Sequence, residues 1–400
     1  MNAVKKLVSA LAVGLSLAAT AEAQCEKTAL TAFDGSIQEN YGRSTSIEDP
    51  YAVVGAPSHP IGVASGAAYI YARSGTTWAL DQKIQAADND PVDLFGISVS
   101  QSGSRVVVGA PEDDGIGTNA GAAYVFRRDP GGWVQEQKLA TSIVSPLILL
   151  GTSCSLDGDR VAIGAPGYQG DKGAVWIFTR SGTTWTQQAV LVPTYPETKA
   201  FGRSVALEGN RLVVGAPSTQ GVFHDAGTVQ VFQFNGSAWV QQQVLETPNP
   251  AAAGFFGYTT AVSGDRLAVG AFWETSTPGV TGRAYVYREV AGVWTLEADL
   301  APSELQNSDR FGQSVALDGI NLIVGAMIGD GPATDSGTAY LFQYNGSSWV
   351  RVSRFWGSTT GSTDQFGVSV DVRGLYVITG ADFYHLGDMQ GAAYIFGRCP

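Results

Sequence analysis

The sequence predicts an all-β chain, a seven-bladed β-propeller of four-stranded antiparallel blades, and three observations predict it. An aromatic or aliphatic residue followed by glycine recurs at Tyr41-Gly42, Phe95-Gly96, Leu150-Gly151, Phe201-Gly202, Phe256-Gly257, Phe311-Gly312 and Phe366-Gly367, at spacings of 54, 55, 51, 55, 55 and 55 residues. A second landmark follows each opening in register. It is complete as Gly55-Ala56-Pro57, Gly109-Ala110-Pro111, Gly164-Ala165-Pro166 and Gly215-Ala216-Pro217, and lacks proline at Gly270-Ala271-Phe272, Gly325-Ala326-Met327 and Gly380-Ala381-Asp382. Repeats of this length holding several strands each belong to blades or to solenoid turns. The third observation is composition: 50 glycines among 400 residues, 44% hydrophobic and only 15% charged, describe a chain that buries a large core and turns often.

The first 23 residues stand outside the repeats. Lys5 and Lys6 precede the apolar run LVSALAVGLSLAA, and Ala21-Glu22-Ala23 supplies small residues for cleavage, the pattern of a secretory signal. The run is too short for a membrane span, and Gln24 before Cys25 departs from a lipid-attachment site. The expected mature chain is therefore a single propeller domain over 24–400, exported to the periplasm or the medium and not inserted in a membrane. No anchor or second domain follows the repeats, so release and a monomeric state are expected. The formal net charge of -12 grows more negative without the leader and argues against nucleic acid and anionic membrane as partners.

Each unit contains four strands. SVALEG (204–209) and RLVVGAP (211–217) are typical first and second strands, joined by a turn in which glycine supplies a positive φ. GAAYVF (121–126) is a typical third strand. A further turn such as Ser74-Gly75, Gly131-Gly132 or Asn235-Gly236 leads to a fourth strand that opens with tryptophan. There the pattern predicts simple alternation, with Trp294, Leu296, Ala298 and Leu300 on a dry face and Thr295, Glu297 and Asp299 on a wet one. The second strand is continuously apolar, as at Val106, Val107 and Val108, which fits a strand covered on both sides. Asn235-Gly236-Ser237 and Asn345-Gly346-Ser347 match a glycosylation pattern, but as Asn-Gly turns they need no sugar to explain them.

The seventh unit stops after its third strand, GAAYIFGRCP, and CEKTALTA (25–32) precedes the first opening where a fourth strand is due. The N-terminus is thus expected to complete the last blade and cover its edge. Cys399 then follows strand three and Cys25 begins strand four, so a disulfide between them would stand in for the absent hairpin turn, in keeping with export. Cys154 takes the place of Val99 and Val205 in other units and reads as a small buried hydrophobe. The aromatic-Gly and Gly-Ala-Pro landmarks read as packing devices: an aromatic wedge between blades, and small residues where backbones approach closely.

These repeats resemble the FG-GAP family, known from the heads of integrin alpha chains and from bacterial secreted proteins, and RSGTTWALDQKI after GAAYIY is similar to the bacterial branch. The resemblance spans residues 25–399. It implies a seven-bladed propeller whose usual activity is extracellular adhesion or ligand recognition. The family often carries an Asp-x-Asp-x-Asp-Gly calcium loop between strands one and two. Here those positions read QSGSR, LDGDR, LEGNR, VSGDR, LDGIN, VRGLY and IEDPY, too few oxygens for a calcium cage, so no cofactor is expected.

The connections between strands two and three and between blades differ from unit to unit, which makes that end of the ring the expected binding surface. Candidate ligand-binding residues are Trp273, Tyr384, His385, His59, Asp113 and Asp114, all in such connections. Acidic residues gather nearby at Asp88, Asp90, Asp93 and Glu112. His59 and His385 belong to neighbouring blades whereas His224 lies far around the ring, which disfavours a three-histidine metal site. No His-Glu-x-x-His, Gly-x-Ser-x-Gly or phosphate loop is present. The reading is a non-enzymatic recognition or cell-adhesion module for an extracellular protein or glycan. Its alternatives are a structural extracellular protein without a discrete ligand and a carbohydrate-active hydrolase, whose mark would be two carboxylates about 5 to 10 Å apart in a cleft.

Overall fold

β-Branched runs punctuated by two-residue turns fold locally into hairpins, and in the computed structural model these assemble into seven four-stranded antiparallel sheets in a ring. The structure describes residues 24–35, 39–59, 65–88, 90–219, 224–249, 253–275, 282–383 and 390–398. Blade 1 runs outward from the axis as Ser44–Glu48, Tyr51–Ala56, Ala67–Ser74 and Thr77–Ile84. Five blades repeat this order over 98–139, 153–191, 204–246, 259–300 and 311–355. Blade 7 comprises Val370–Arg373, Tyr376–Ala381 and Ala392–Arg398, and the N-terminal strand Gln24–Leu30 completes it from outside. In that last pairing Cys25 faces Gly397 and Leu30 faces Ala393, the closure expected from the sequence. Cys399 lies outside the described residues.

The core is a set of sandwiches between neighbouring blades. Val53, Ala68 and Ile70 of blade 1 pack on Phe95, Val106, Val108 and Tyr124 of blade 2. Across the closure, Ile378, Ala393 and Ile395 pack on Tyr41, Val54 and Tyr69. Every wedge of the aromatic-Gly openings, Leu150 and Tyr41 included, is fully buried.

Close to the axis, adjacent blades meet backbone to backbone. A Cβ at Gly55, Gly109, Gly164, Gly215, Gly270 or Gly325 would overlap a glycine carbonyl of the following blade, and one at Gly380 would overlap that of Gly42. The same carbonyls accept a hydroxyl from the preceding blade. The series begins with Ser44 Oγ donating to Gly96 O at 2.8 Å and ends with Ser369 Oγ donating to Gly42 O at 2.8 Å. Both landmarks are thus the two halves of one joint. Cys154 stands where Val99 and Val205 stand, lining the axial cavity, but is half-buried rather than buried; Ser98 Oγ lies 3.3 Å from its sulfur, and burial pushes its thiol up to about 12.

The outer strands meet through tryptophan, and here simple alternation fails. The pairing of strands three and four slips by one residue in blades 1 to 5, leaving Asp81, Glu136, Gln188, Gln242 and Glu297 opposite no partner. Each of these bulged residues turns sideways and accepts the indole N–H of the next blade's tryptophan. Trp133 Nε1 donates to Asp81 at 2.9 Å, and Trp349 Nε1 to Glu297 at 2.8 Å; Trp185, Trp239 and Trp294 make the equivalent bonds. A bulge inverts the parity of the strand residues beyond it, so Trp294 packs toward blade 4 while Leu300 packs toward blade 6, and Glu297 lies in the seam.

At the ring closure this device lacks its acceptor. Trp78 of blade 1 meets the N-terminal strand, whose bulge between Glu26 and Thr28 presents Lys27. Lysine has only donors, and Trp78 Nε1 is buried with no partner among the described residues. Lys27→Gln is expected to stabilise the protein by about 1 kcal/mol, read as a higher urea midpoint. An unchanged midpoint would mean that Lys27 does not occupy the acceptor's place.

Candidate functional site

The ring has two unlike ends. At the hairpin end the turn side chains bind the neighbouring blade. Asp157 accepts the N–H of Gly209 at 2.6 Å, Glu208 that of Gly264 at 2.8 Å and Asp318 that of Gly374 at 2.7 Å, with Glu48, Ser102 and Ser263 in the same role. Asp159 is held by Arg180 and Asp265 by Arg288. These are the residues at the family's calcium-loop positions, and they do not fit a calcium cage: their oxygens serve amides and guanidinium groups on different blades.

At the loop end the third-strand tyrosines act as anchors. Tyr124 Oη donates to Asp113 at 2.6 Å and lies 2.9 Å from Asp88, and Lys138 Nζ bridges the same two carboxylates at 2.7 Å each. Asp113 is therefore buried, and its other oxygen accepts the N–H of Gly115 at 3.0 Å. Asp114 is exposed, and its Oδ1 accepts the N–H of Asn119 at 2.6 Å, which folds its own loop. His59 is buried as well. Its Nδ1 stands 2.7 Å from Glu39 Oε1, and Lys83 Nζ lies 2.5 Å from its Nε2 and 2.7 Å from Asp34. In blade 5 Glu274 accepts bonds from Tyr285 and Thr247. His59 and Asp113 thus hold loops to their blade and face inward.

The carboxylates that come close together do not form an acid and base open to a substrate. Burial raises the Asp88 carboxyl, but its bonds from Lys138 and Tyr124 outweigh this and hold it below the usual range. Asp93 is pushed up to about 7 by burial and by the Asp113 charge, yet it is only 2% exposed.

What remains exposed at this end is aromatic. Trp273 is 37% exposed, with the Arg310 guanidinium 5.4 Å from its ring centre. Phe383 is 42% exposed, and His224 lies open on blade 4. Tyr384 and His385 fall outside the described residues. Behind Trp273, Phe272 stacks on Phe255 at 5.5 Å and meets Tyr258 edge-on at 4.5 Å, which leads to the axis. There an axial cavity of about 420 Å³ opens among Arg43, Arg203, Tyr258 and Gln313. These four are absent from the candidates that the sequence suggested. Their signal was the position directly after each aromatic-Gly pair, which places one residue per blade at a common height around the axis.

No helix among the described residues is long and apolar enough to cross a membrane. No curated protein matches the chain. The family model for the FG-GAP repeat matches residues 25–71, 78–126, 185–232, 239–287 and 294–342, each match beginning with the outer strand of one blade and ending in the third strand of the next. The unmatched stretches contain the first three strands of the Leu150 blade and of the seventh blade. With most of its length covered in register, the chain belongs to the FG-GAP repeat family.

Proposed function

We propose that this protein is an exported recognition or adhesion module, non-enzymatic, which binds an extracellular protein or glycan through the loop end of its ring after its first 23 residues are removed. An FG-GAP propeller is compatible with recognition or with a structural role, and it is typically a non-catalytic fold. The observation that favours recognition is the contrast between the two ends. Hairpin-end polar groups bind neighbouring blades, whereas the loop end leaves Trp273 and Phe383 open on irregular connections carried by a rigid ring. Exposed tryptophan on such a support is the residue type that dominates binding energies and that stacks on sugar rings.

The test is a screen of the folded full chain against a glycan array and immobilised extracellular-matrix proteins, repeated with Trp273→Ala. A specific hit that weakens roughly tenfold or more in the variant is the expected result. Hits that ignore Trp273 would relocate the surface, and no hit from well-folded protein would favour the structural role.

A further inference from the structure

The axial mouth is chemically unlike the rest of the molecule. In a protein of net charge -12, blades 1 and 4 place Arg43 and Arg203 at its rim, while blades 5 and 6 contribute Tyr258 and Gln313. Arg203 has no carboxylate within 4 Å among the described residues. Its guanidinium lies 4.3 Å from the centre of the Tyr258 ring and donates to the phenol oxygen at 2.6 Å. Arg43 reaches Asp382 with one nitrogen at 3.2 Å and remains about one-third exposed. Asp382 is itself buried, and burial raises its carboxyl despite Arg43, which weakens it as a competing anion. Burial raises the phenol of Tyr258, but Arg203 and Arg43 outweigh it and lower the phenol below its ordinary value, so both guanidinium groups act on one point.

The lining below the rim has little left to offer a ligand. Its hydroxyls are already engaged: Ser44, Ser98, Ser153 and Ser204 donate to the glycine carbonyls of the blade joint, Thr45 and Thr260 to neighbouring serines, and Thr152 to the Leu149 carbonyl. Gln313 is the exception. It is 7% exposed, and its Oε1 is buried with no hydrogen-bond partner among the described residues. An unpaired acceptor in a mouth that holds the unneutralised Arg203 guanidinium and the half-engaged Arg43 calls for a ligand bearing both a negative charge and a hydroxyl donor. Low-dielectric walls focus the positive field into the mouth, and arginine recognises a carboxylate through paired N–H donors.

We propose that the loop-end mouth of the axial channel is a binding site for a small hydroxy-carboxylate, with Arg43 and Arg203 holding the carboxylate and Gln313 Oε1 accepting a ligand hydroxyl. The cavity holds one small molecule of that class, whether a sugar acid or an aliphatic hydroxy acid. The site is separate from the Trp273 surface, with Phe272 between them, and does not depend on that surface binding anything.

Calorimetric titration of the full chain with D-glucuronate, L-malate and D-glucose tests this, using the wild type, Arg203→Ala, Arg43→Gln and Trp273→Ala. One acid or both should bind at 1:1 while glucose does not. Arg203→Ala should weaken binding about tenfold or more, and Trp273→Ala should leave it unchanged. Glucuronate alone would identify a sugar acid, malate alone an aliphatic acid, and equal binding a site that reads only the shared group. A second readout covers a variant that folds poorly. In the wild type, bound acid should move the ultraviolet titration of Tyr258 upward, measured as the difference from Tyr258→Phe, because the added negative charge opposes phenolate. The proposal is overturned if neither acid binds, if glucose binds equally, or if both arginine variants bind as tightly as the wild type. Loss in Trp273→Ala alone would place the acid on the aromatic surface, refuting the axial site while leaving the recognition function standing.

Discussion

Gly215→Ala is expected to destabilise the protein by about 3 kcal/mol or more, a large effect for one methyl group. The added carbon would overlap the carbonyl oxygen of Gly257 and the hydroxyl of Ser204. The first is backbone of the next blade, and the second is fixed by donating to that same carbonyl at 3.0 Å. Relief therefore requires two blades to part, and in a closed ring the displacement passes to the other five. Gly209→Ala is the control. Its Cβ would meet open space, so it carries only the strain of alanine at φ +56, about 1 kcal/mol. Urea unfolding of the two variants separates the causes. Gly215 has no positive φ to strain an alanine, so a loss no larger than that of Gly209→Ala would mean that the joint between blades yields to the added methyl group.

The second large effect concerns the ring closure. Deleting residues 24–32 removes the outer strand of blade 7, leaves Ala392–Arg398 as an open edge and uncovers the core around buried Leu30 and Ala32. Unpaired edges recruit other chains, so size-exclusion chromatography should show loss of soluble monomer to oligomers and aggregate. The milder change, Cys25→Ser, tests the covalent clasp. Cys25 pairs with Gly397, two residues before Cys399 in the sequence, and a bridge closing so long a loop would contribute roughly 3 to 5 kcal/mol. Peptide mapping without reductant should yield a Cys25–Cys399 cross-linked pair, and Cys25→Ser should lower the unfolding midpoint. A midpoint that did not move would assign closure to backbone pairing alone.

The candidate site was less legible than the fold. His59 and Asp113 lie in variable loops, where polar residues commonly face solvent, but the direction of each is set by groups that sequence order does not connect. The Lys138 that holds Asp113 comes from an outer strand 25 residues on, and Tyr124 from the strand between. The place of Arg203 directly after an aromatic-Gly pair sets its height at the axis, but one arginine there looks by itself like any surface charge. Its role emerges when blade 1 brings Arg43 to the same mouth across 160 residues of chain.

Read alone, the sequence determined the number of blades, the order of strands within each and the strand that closes the ring, because these follow from repeat spacing and local hydrophobic pattern. Tertiary structure decided which way the outer-strand side chains point. Trp294 and Leu300 stand six apart on one strand, which simple alternation assigns to one face, yet Trp294 packs toward blade 4 and Leu300 toward blade 6. The bulge exists so that Glu297 can reach Trp349 on the next blade, and a bond between blades leaves no periodic trace within either one. The same reason explains Lys27: nothing in its own strand marks it as the neighbour of Trp78, and only the closed ring brings a donor where an acceptor is needed.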